Sequence, residues 1–207
     1  MTYESLIFDI DGTLWDSREL VAQGYNIQLR AEGLEKYCVT AQDLKPLFGK
    51  VMTEIADVIL SSIPESERYG IMERCMETEN EYLFQNECRI GYPGVKETME
   101  VLSKKHRIFI VSNAQCGYPE LCIDKLGLAP YISGHMCFGD TGTSKGQTIL
   151  TLMKKHNIKS AVYIGDTQGD REACLEAKVP FVFCTYGLGR AESWDAAIDS
   201  IDELLNM

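Results

Sequence analysis

Four short segments of the chain hold residues whose types and spacing suit chemistry on an anionic substrate. The first is Asp9-Ile10-Asp11-Gly12-Thr13. Side chains two apart on an extended strand share a face, so both carboxylates are expected in one pocket. Gly12 lets the chain leave sharply and turns backbone N–H groups toward an anion, although Asp-Gly by itself is also an ordinary turn dipeptide. The second, Ser112-Asn113, offers a hydroxyl and an amide, which bind an oxyanion or simply cap a turn. The third, Gly139-Asp140-Thr141-Gly142-Thr143-Ser144-Lys145, is a glycine-bearing loop delivering a lysine; the fourth is Gly165-Asp166-Thr167-Gln168-Gly169-Asp170. An acid pair can act as nucleophile and proton carrier, and the lysine can neutralise an anion. Five acids brought together (9, 11, 140, 166 and 170) would repel one another unless a hard dication sat among them, and all-oxygen ligands favour Mg²⁺.

Convergence requires elements that end in the right place. Runs at Leu6–Ile10, Ile108–Ser112, His135–Phe138, Ala161–Gly165 and Phe181–Cys184 are rich in Ile, Val, Phe or Tyr and close at Gly, Asp or Asn. They lack clean polar alternation, as parallel strands covered on both faces do. Helical spacing marks 94–105, 145–157 (with Ser144 as N-cap) and 168–178. Strands alternating with helices predict an α/β fold with a doubly wound, parallel five-stranded sheet. Ligands of such sheets bind beyond the carboxyl ends of the strands, where all four segments fall. A final helix is expected over 198–206.

About 95 residues separate the first strand from the second, far more than a crossover helix needs. The intervening pattern is helical over 17–33, 51–62 and 66–86, broken near Pro46–Gly49 and Ser61–Pro64. The predicted organisation is therefore a Rossmann-like core (1–14 and 87–207) with an inserted helical cap (15–86). Glu73, Glu77, Glu79 and Glu81 read as a solvated helix face.

The 207 residues are 45% apolar and 25% charged, which excludes a disordered or fibrous chain. No apolar run reaches the ~20 residues of a bilayer span. The start, with Glu4 and no basic-then-apolar segment, predicts a cytoplasmic protein. The net charge is −11, with 17 acids against 8 bases in the first 90 residues. Such a surface disfavours nucleic acid and anionic membrane as partners. Eight cysteines and three histidines show neither Cys-x-x-Cys nor another zinc spacing. Most of the cysteines are expected as small buried hydrophobes, with one or two exposed thiols.

The ordered set Asp-x-Asp-Gly-Thr, Ser-Asn, Lys and Gly-Asp-x-x-x-Asp resembles the haloacid dehalogenase-like superfamily. Over about 1–190 the chain is similar to its phosphatase branch with a helical cap after the first strand, as in phosphoglycolate phosphatases. The resemblance implies a Mg²⁺-dependent phosphoric monoester hydrolase. Asp9 would attack phosphorus to form an aspartyl-phosphate, Asp11 would be the acid and base, and Ser112, Asn113 and Lys145 would bind phosphate. It further implies that the Asp9 carboxylate, the Asp11 main-chain carbonyl and Asp166 hold the metal, and that Asp170 orients Lys145 or water there. Dehalogenases and phosphonate hydrolases of the superfamily lack an acid at the position of Asp11. A phosphosugar mutase shares the acid pair and the cap, and remains the alternative. A non-turnover phospho-accepting or metal-sensing switch would also use strand-end acids, but without the cap. Lys50, in Phe48-Gly49-Lys50, is a candidate substrate contact or else a solvated lysine. The implied partner is a small phosphorylated metabolite, and the implied state a monomer or weak homodimer.

Overall fold

The computed structural model describes residues 3–87 and 90–207. The chain divides into two compact units, one comprising Met1–Asp16 and Ile90–Met207, the other Ser17–Arg89.

The first unit is built on a sheet whose strands are β1 (Ser5–Phe8), β2 (Arg107–Ser112), β3 (Ile132–Cys137), β4 (Ala161–Gly165), β5 (Phe181–Cys184) and β6 (Ala196–Ile198). Their order is β3-β2-β1-β4-β5-β6, and every pairing is parallel. The sheet thus changes winding direction at β1, between β2 and β4, which is where such folds open a crevice. All four residues of β1 and all five of β4 are buried, the covering of both faces that their unbroken apolar runs imply. One side of the sheet packs Ile7, Phe109, Tyr163 and Phe181 against Ile149, Leu152 and Cys174 from the helices above. Each such side chain removed from water contributes about 1.5–3 kcal/mol.

The sheet has six strands among the described residues, not five. β6 was hidden because Ala196–Ile198 is short and its pairing is made at long range, with Ala196 beside Val182 and Ile198 beside Cys184. The expected helix over 198–206 is a single 3₁₀ segment, Ile201–Asn206, that begins only after β6. Strand β3 starts at Ile132, earlier than its apolar residues suggest. Gly134 interrupts the pattern because a Cβ there would stand 2.9 Å from His156 Cε1.

Helices α5 (Val95–Leu102), α8 (Lys145–Lys155) and α9 (Gln168–Ala177) lie within the predicted ranges. Two helices of this unit were not foreseen: α6 (Tyr118–Lys125), which carries Pro119 in its first turn, where proline is tolerated, and the one-turn α7 (Phe138–Thr141).

The second unit is helical: α1 (Arg18–Ala31), α2 (Ala41–Leu44), α3 (Met52–Ile59) and α4 (Glu65–Gln85). Gly24 lets α1 and α4 approach closely, since a Cβ on it would lie 2.7 Å from Glu79 Cα. Glu79 is accordingly buried, whereas its neighbours on the acidic run, Glu73 and Glu81, face solvent. No helix among the described residues is long and apolar enough to cross a membrane.

Candidate active site

β1 stops at Phe8, and Asp9 follows it, 2% exposed. Lys145, the first residue of α8, reaches across and donates from Nζ to Asp9 Oδ1 at 3.0 Å and to Asp170 Oδ1 at 2.6 Å. A helix N-terminus disfavours a lysine, and burial pulls its ammonium toward neutrality. Asp170 and Asp9 outweigh both, so its affinity for the proton is raised and it stays charged.

Asp170 is the fixed anion of the group. In the first turn of α9 its Oδ2 accepts from the backbone N–H of Thr167 (3.0 Å) and of Asp166 (3.2 Å), and from Thr167 Oγ1 (2.6 Å). Its Oδ1 accepts from Lys145 and from Tyr163 Oη. Burial opposes its charge, but Lys145 and Thr167 more than compensate and hold its carboxyl below the usual range. With both oxygens so engaged, Asp170 is placed to position Lys145.

Asp166 differs. Oδ2 accepts from the backbone N–H groups of Leu188 (2.7 Å) and Gly189 (2.9 Å), while Oδ1 is buried without a hydrogen-bond partner. Burial and then the neighbouring Asp170 push its carboxyl up to about 7. Burial above all also raises Asp9 well above the usual carboxylate range, with Asp170 and Asp166 adding to it against Lys145. Oxygen atoms of Asp9, Asp166 and Asp170 lie within 4.8 Å of one another. Three carboxylates against one ammonium leave the pocket negative. An orphaned buried oxygen and an all-oxygen donor set fit a hard divalent cation.

Of the five acids grouped in the sequence, these three cluster and two turn elsewhere. Asp11 Oδ1 accepts from Trp15 Nε1 and from Tyr118 Oη, both at 2.8 Å. Asp140 Oδ2 accepts from the Cys137 N–H and caps α7. Ser112 is buried at the end of β2, its Oγ accepting from the Ala114 N–H, and the half-buried Asn113 follows it. Lys50 belongs to the helical unit, where it is 45% exposed and pairs with Glu54 at 3.1 Å.

Sequence reasoning missed Tyr118 and Tyr163, whose roles come from contacts between elements, and also Trp15 and Thr167, which act locally on Asp11 and Asp170; the Thr-x-x-Asp capping box of Thr167 and Asp170 could have been read. It also missed the loop after β5, which a Gly-x-Gly at a strand end could have announced. A Cβ on Gly187 would stand 2.3 Å from Asp166 Cβ and 2.5 Å from the Gly12 carbonyl oxygen, and Gly12 itself has φ +79°. Gly187→Ala is therefore expected to displace Asp166 at a cost of about 1–3 kcal/mol. Calorimetry should show divalent-cation affinity falling at least tenfold in a folded protein; unchanged affinity would refute the cradle.

The sheet order and the lysine-braced acid pocket at its switch point define a class of α/β protein, and similarity to known proteins narrows it. The sequence profile of haloacid dehalogenase-like hydrolases matches residues 6–184. A phosphoglycolate phosphatase of Agrobacterium fabrum is 30% identical over 87% of this chain and 80% of its own length. Another, of Aquifex aeolicus, is 28% identical over 91% and 87%. In fold, a haloacid dehalogenase-like family hydrolase of Streptococcus pneumoniae superimposes with a TM-score of 0.83 at 16% identity, over 99% of this chain and 98% of that one. The chain belongs to the haloacid dehalogenase-like hydrolase family.

Proposed function

We propose that the protein is a Mg²⁺-dependent phosphatase that hydrolyses a small phosphate monoester through an aspartyl-phosphate. The observation that carries this reading is the buried Asp9, held through one oxygen by Lys145, with Asp11 two residues further along the chain. Lys145 engages Oδ1, leaving Oδ2 to attack phosphorus in line. The new bond joins Asp9 to phosphorus as the ester P–O bond breaks, and Asp11 supplies the proton that the departing alkoxide takes. Asp11 then removes a proton from water, which attacks the phosphorus and releases phosphate and Asp9. Lys145, Ser112 and Asn113 hold the phosphoryl oxygens, and Asp170 fixes Lys145. Asp9, Asp166 and the Asp11 main-chain carbonyl would hold the Mg²⁺, which when bound neutralises charge on the phosphoryl group. The helical unit acts as the cap that selects substrate, with Lys50 a contact within it.

The test is phosphate release from a panel of phosphomonoesters with Mg²⁺. Phosphoglycolate leads the panel, because the relatives carry that name, followed by sugar phosphates and nucleoside monophosphates. Isomerisation of β-glucose-1-phosphate without phosphate release would instead make it a mutase. Phosphorylation without turnover would make it a switch.

Mg²⁺ is also expected to stabilise the fold. It relieves repulsion among the buried acids and binds the native state alone. At a hundred times its Kd this adds about 2.7 kcal/mol, a Tm rise of about 5–10 °C for a chain of this size. Ca²⁺, which takes more ligands at longer distances, should bind yet fail to support turnover. An unchanged melting curve at saturating Mg²⁺, or full activity in chelator, would contradict the assignment.

A further inference from the structure

A second group of ligating atoms lies outside the acid pocket, where β2 and β3 end. Cys116 is on the loop that follows Ser112 and Asn113, Cys137 closes β3, and Asp140 follows it in α7. Cys137 Sγ donates to Asp140 Oδ2 at 3.3 Å, and Cys116 Sγ donates to Asp140 Oδ1 at 3.8 Å. All three residues offer a ligand atom within 4.8 Å of the other two. Backbone packing sets this proximity. The Gly139 N–H donates to the Ala114 carbonyl at 3.2 Å, and a Cβ on Gly139 would stand 2.6 Å from the Cys116 nitrogen. The two cysteines are far apart in sequence, so their spacing announces nothing; the parallel pairing of β2 and β3 brings them together.

We propose that Cys116, Cys137 and Asp140 form a second metal site, one for a borderline-soft divalent cation such as Zn²⁺, with a fourth position open to water. In a tetrahedral centre with Zn–S about 2.3 Å and Zn–O about 2.1 Å, neighbouring sulfur and oxygen ligands lie about 3.6 Å apart. Cys116 Sγ stands 3.8 Å from Asp140 Oδ1, close to that value, and Cys137 Sγ stands 3.3 Å from the same carboxylate's Oδ2. Asp140 can keep its cap on the Cys137 N–H through Oδ2 and ligate through Oδ1. Cys116 is exposed, which gives an ion a way in. Burial first, and then the bond to Asp140, push the Cys137 thiol up to about 12. A cysteine that ligates as a thiolate passes its proton to solvent as the cation binds. Zn²⁺ displaces such protons; Mg²⁺, which prefers oxygen and sheds its water reluctantly, does not. The two pockets thus select different ions, oxygen-only at β1 and β4, sulfur-rich at β2 and β3. Occupancy of the second ties the loop behind Ser112 to the turn that leads into α8. The site stands on its own geometry, whatever substrate the first pocket takes.

The test uses the whole protein, kept reduced with a phosphine and saturated with Mg²⁺ so that the acid pocket is filled. Titration with Co²⁺ should produce a thiolate-to-cobalt charge-transfer band that saturates at one equivalent and disappears as Zn²⁺ is added. Zn²⁺ should shield Cys116 from alkylation. Cys116→Ser, at an exposed position, should fold normally, lose the band and bind Zn²⁺ about 100-fold or more weaker. Asp140→Asn should keep a weakened band. No thiolate band at saturating Co²⁺ would overturn the proposal, and so would undiminished Zn²⁺ affinity in Cys116→Ser.

Discussion

Asp9→Asn is expected to abolish turnover, lowering kcat by about 10⁵-fold or more, while leaving the protein at least as stable as the wild type in chelator. The first half follows, under the proposed mechanism, from losing the covalent nucleophile, which no neighbour can replace. Asp170 is saturated by hydrogen bonds, and Asp166 is tied down by the loop after β5. The second half follows from charge. Asp9, Asp166 and Asp170 share one buried pocket with a single ammonium, and burying a charge that is not fully matched costs stability. Asn keeps the shape and keeps an acceptor for Lys145, which retains Asp170 as its counter-ion at 2.6 Å. What goes is one excess negative charge. Melting curves should therefore show an equal or higher Tm without metal and, with Asp9 a ligand as proposed, a smaller Mg²⁺-induced rise. Residual activity above about 1% would place the nucleophile elsewhere. A collapse of Tm in chelator would mean that the Asp9–Lys145 pair is a net stabiliser.

That pocket was legible in the sequence to the extent that it depends on strand ends. The apolar runs Leu6–Ile10, Ile108–Ser112 and Ala161–Gly165 identify β1, β2 and β4, and a parallel sheet brings their carboxyl ends together. The alternation argument for Asp9 and Asp11 was less sufficient. β1 stops at Phe8, and the chain turns back so that the Gly12 N–H bonds the Trp15 carbonyl. Asp11 thus meets Trp15 and Tyr118 rather than joining the acid cluster. Tyr118 sits in a helix that carries a proline, and the loop around Gly187 matters only through what it packs on, Asp166 and the Gly12 carbonyl. Cys116 and Cys137 belong to the same class of feature. Periodicity reports which face a residue takes, whereas register between distant strands decides which side chains meet.

The sharper test of mechanism is Asp11→Asn, because it separates proton transfer from everything else the residue does. Trp15 Nε1 and Tyr118 Oη both donate to the single atom Oδ1 of Asp11. An Asn oxygen can accept from both, so the side chain should keep its place. Under the proposed assignment the cation contact here is the main-chain carbonyl, so Mg²⁺ affinity should change by less than about threefold. What is removed is the acid for the ester oxygen and the base for the incoming water, each worth roughly 10²–10⁴ in rate. An alkoxide leaving group needs that proton; p-nitrophenolate, a far weaker base, hardly does. Formation of the aspartyl-phosphate should therefore collapse for alkyl phosphates and survive better for p-nitrophenyl phosphate. Its hydrolysis should slow for both, since the water has lost its base. Steady-state rates would hide the difference once hydrolysis limits, so the first turnover has to be timed. Rapid mixing should show a burst of p-nitrophenolate approaching one per active site, then slow release of phosphate, with no burst of alcohol from an alkyl ester. Equal slowing of the first turnover for both esters would remove Asp11 from the proton path. A large loss of Mg²⁺ affinity would instead make its carboxylate a ligand.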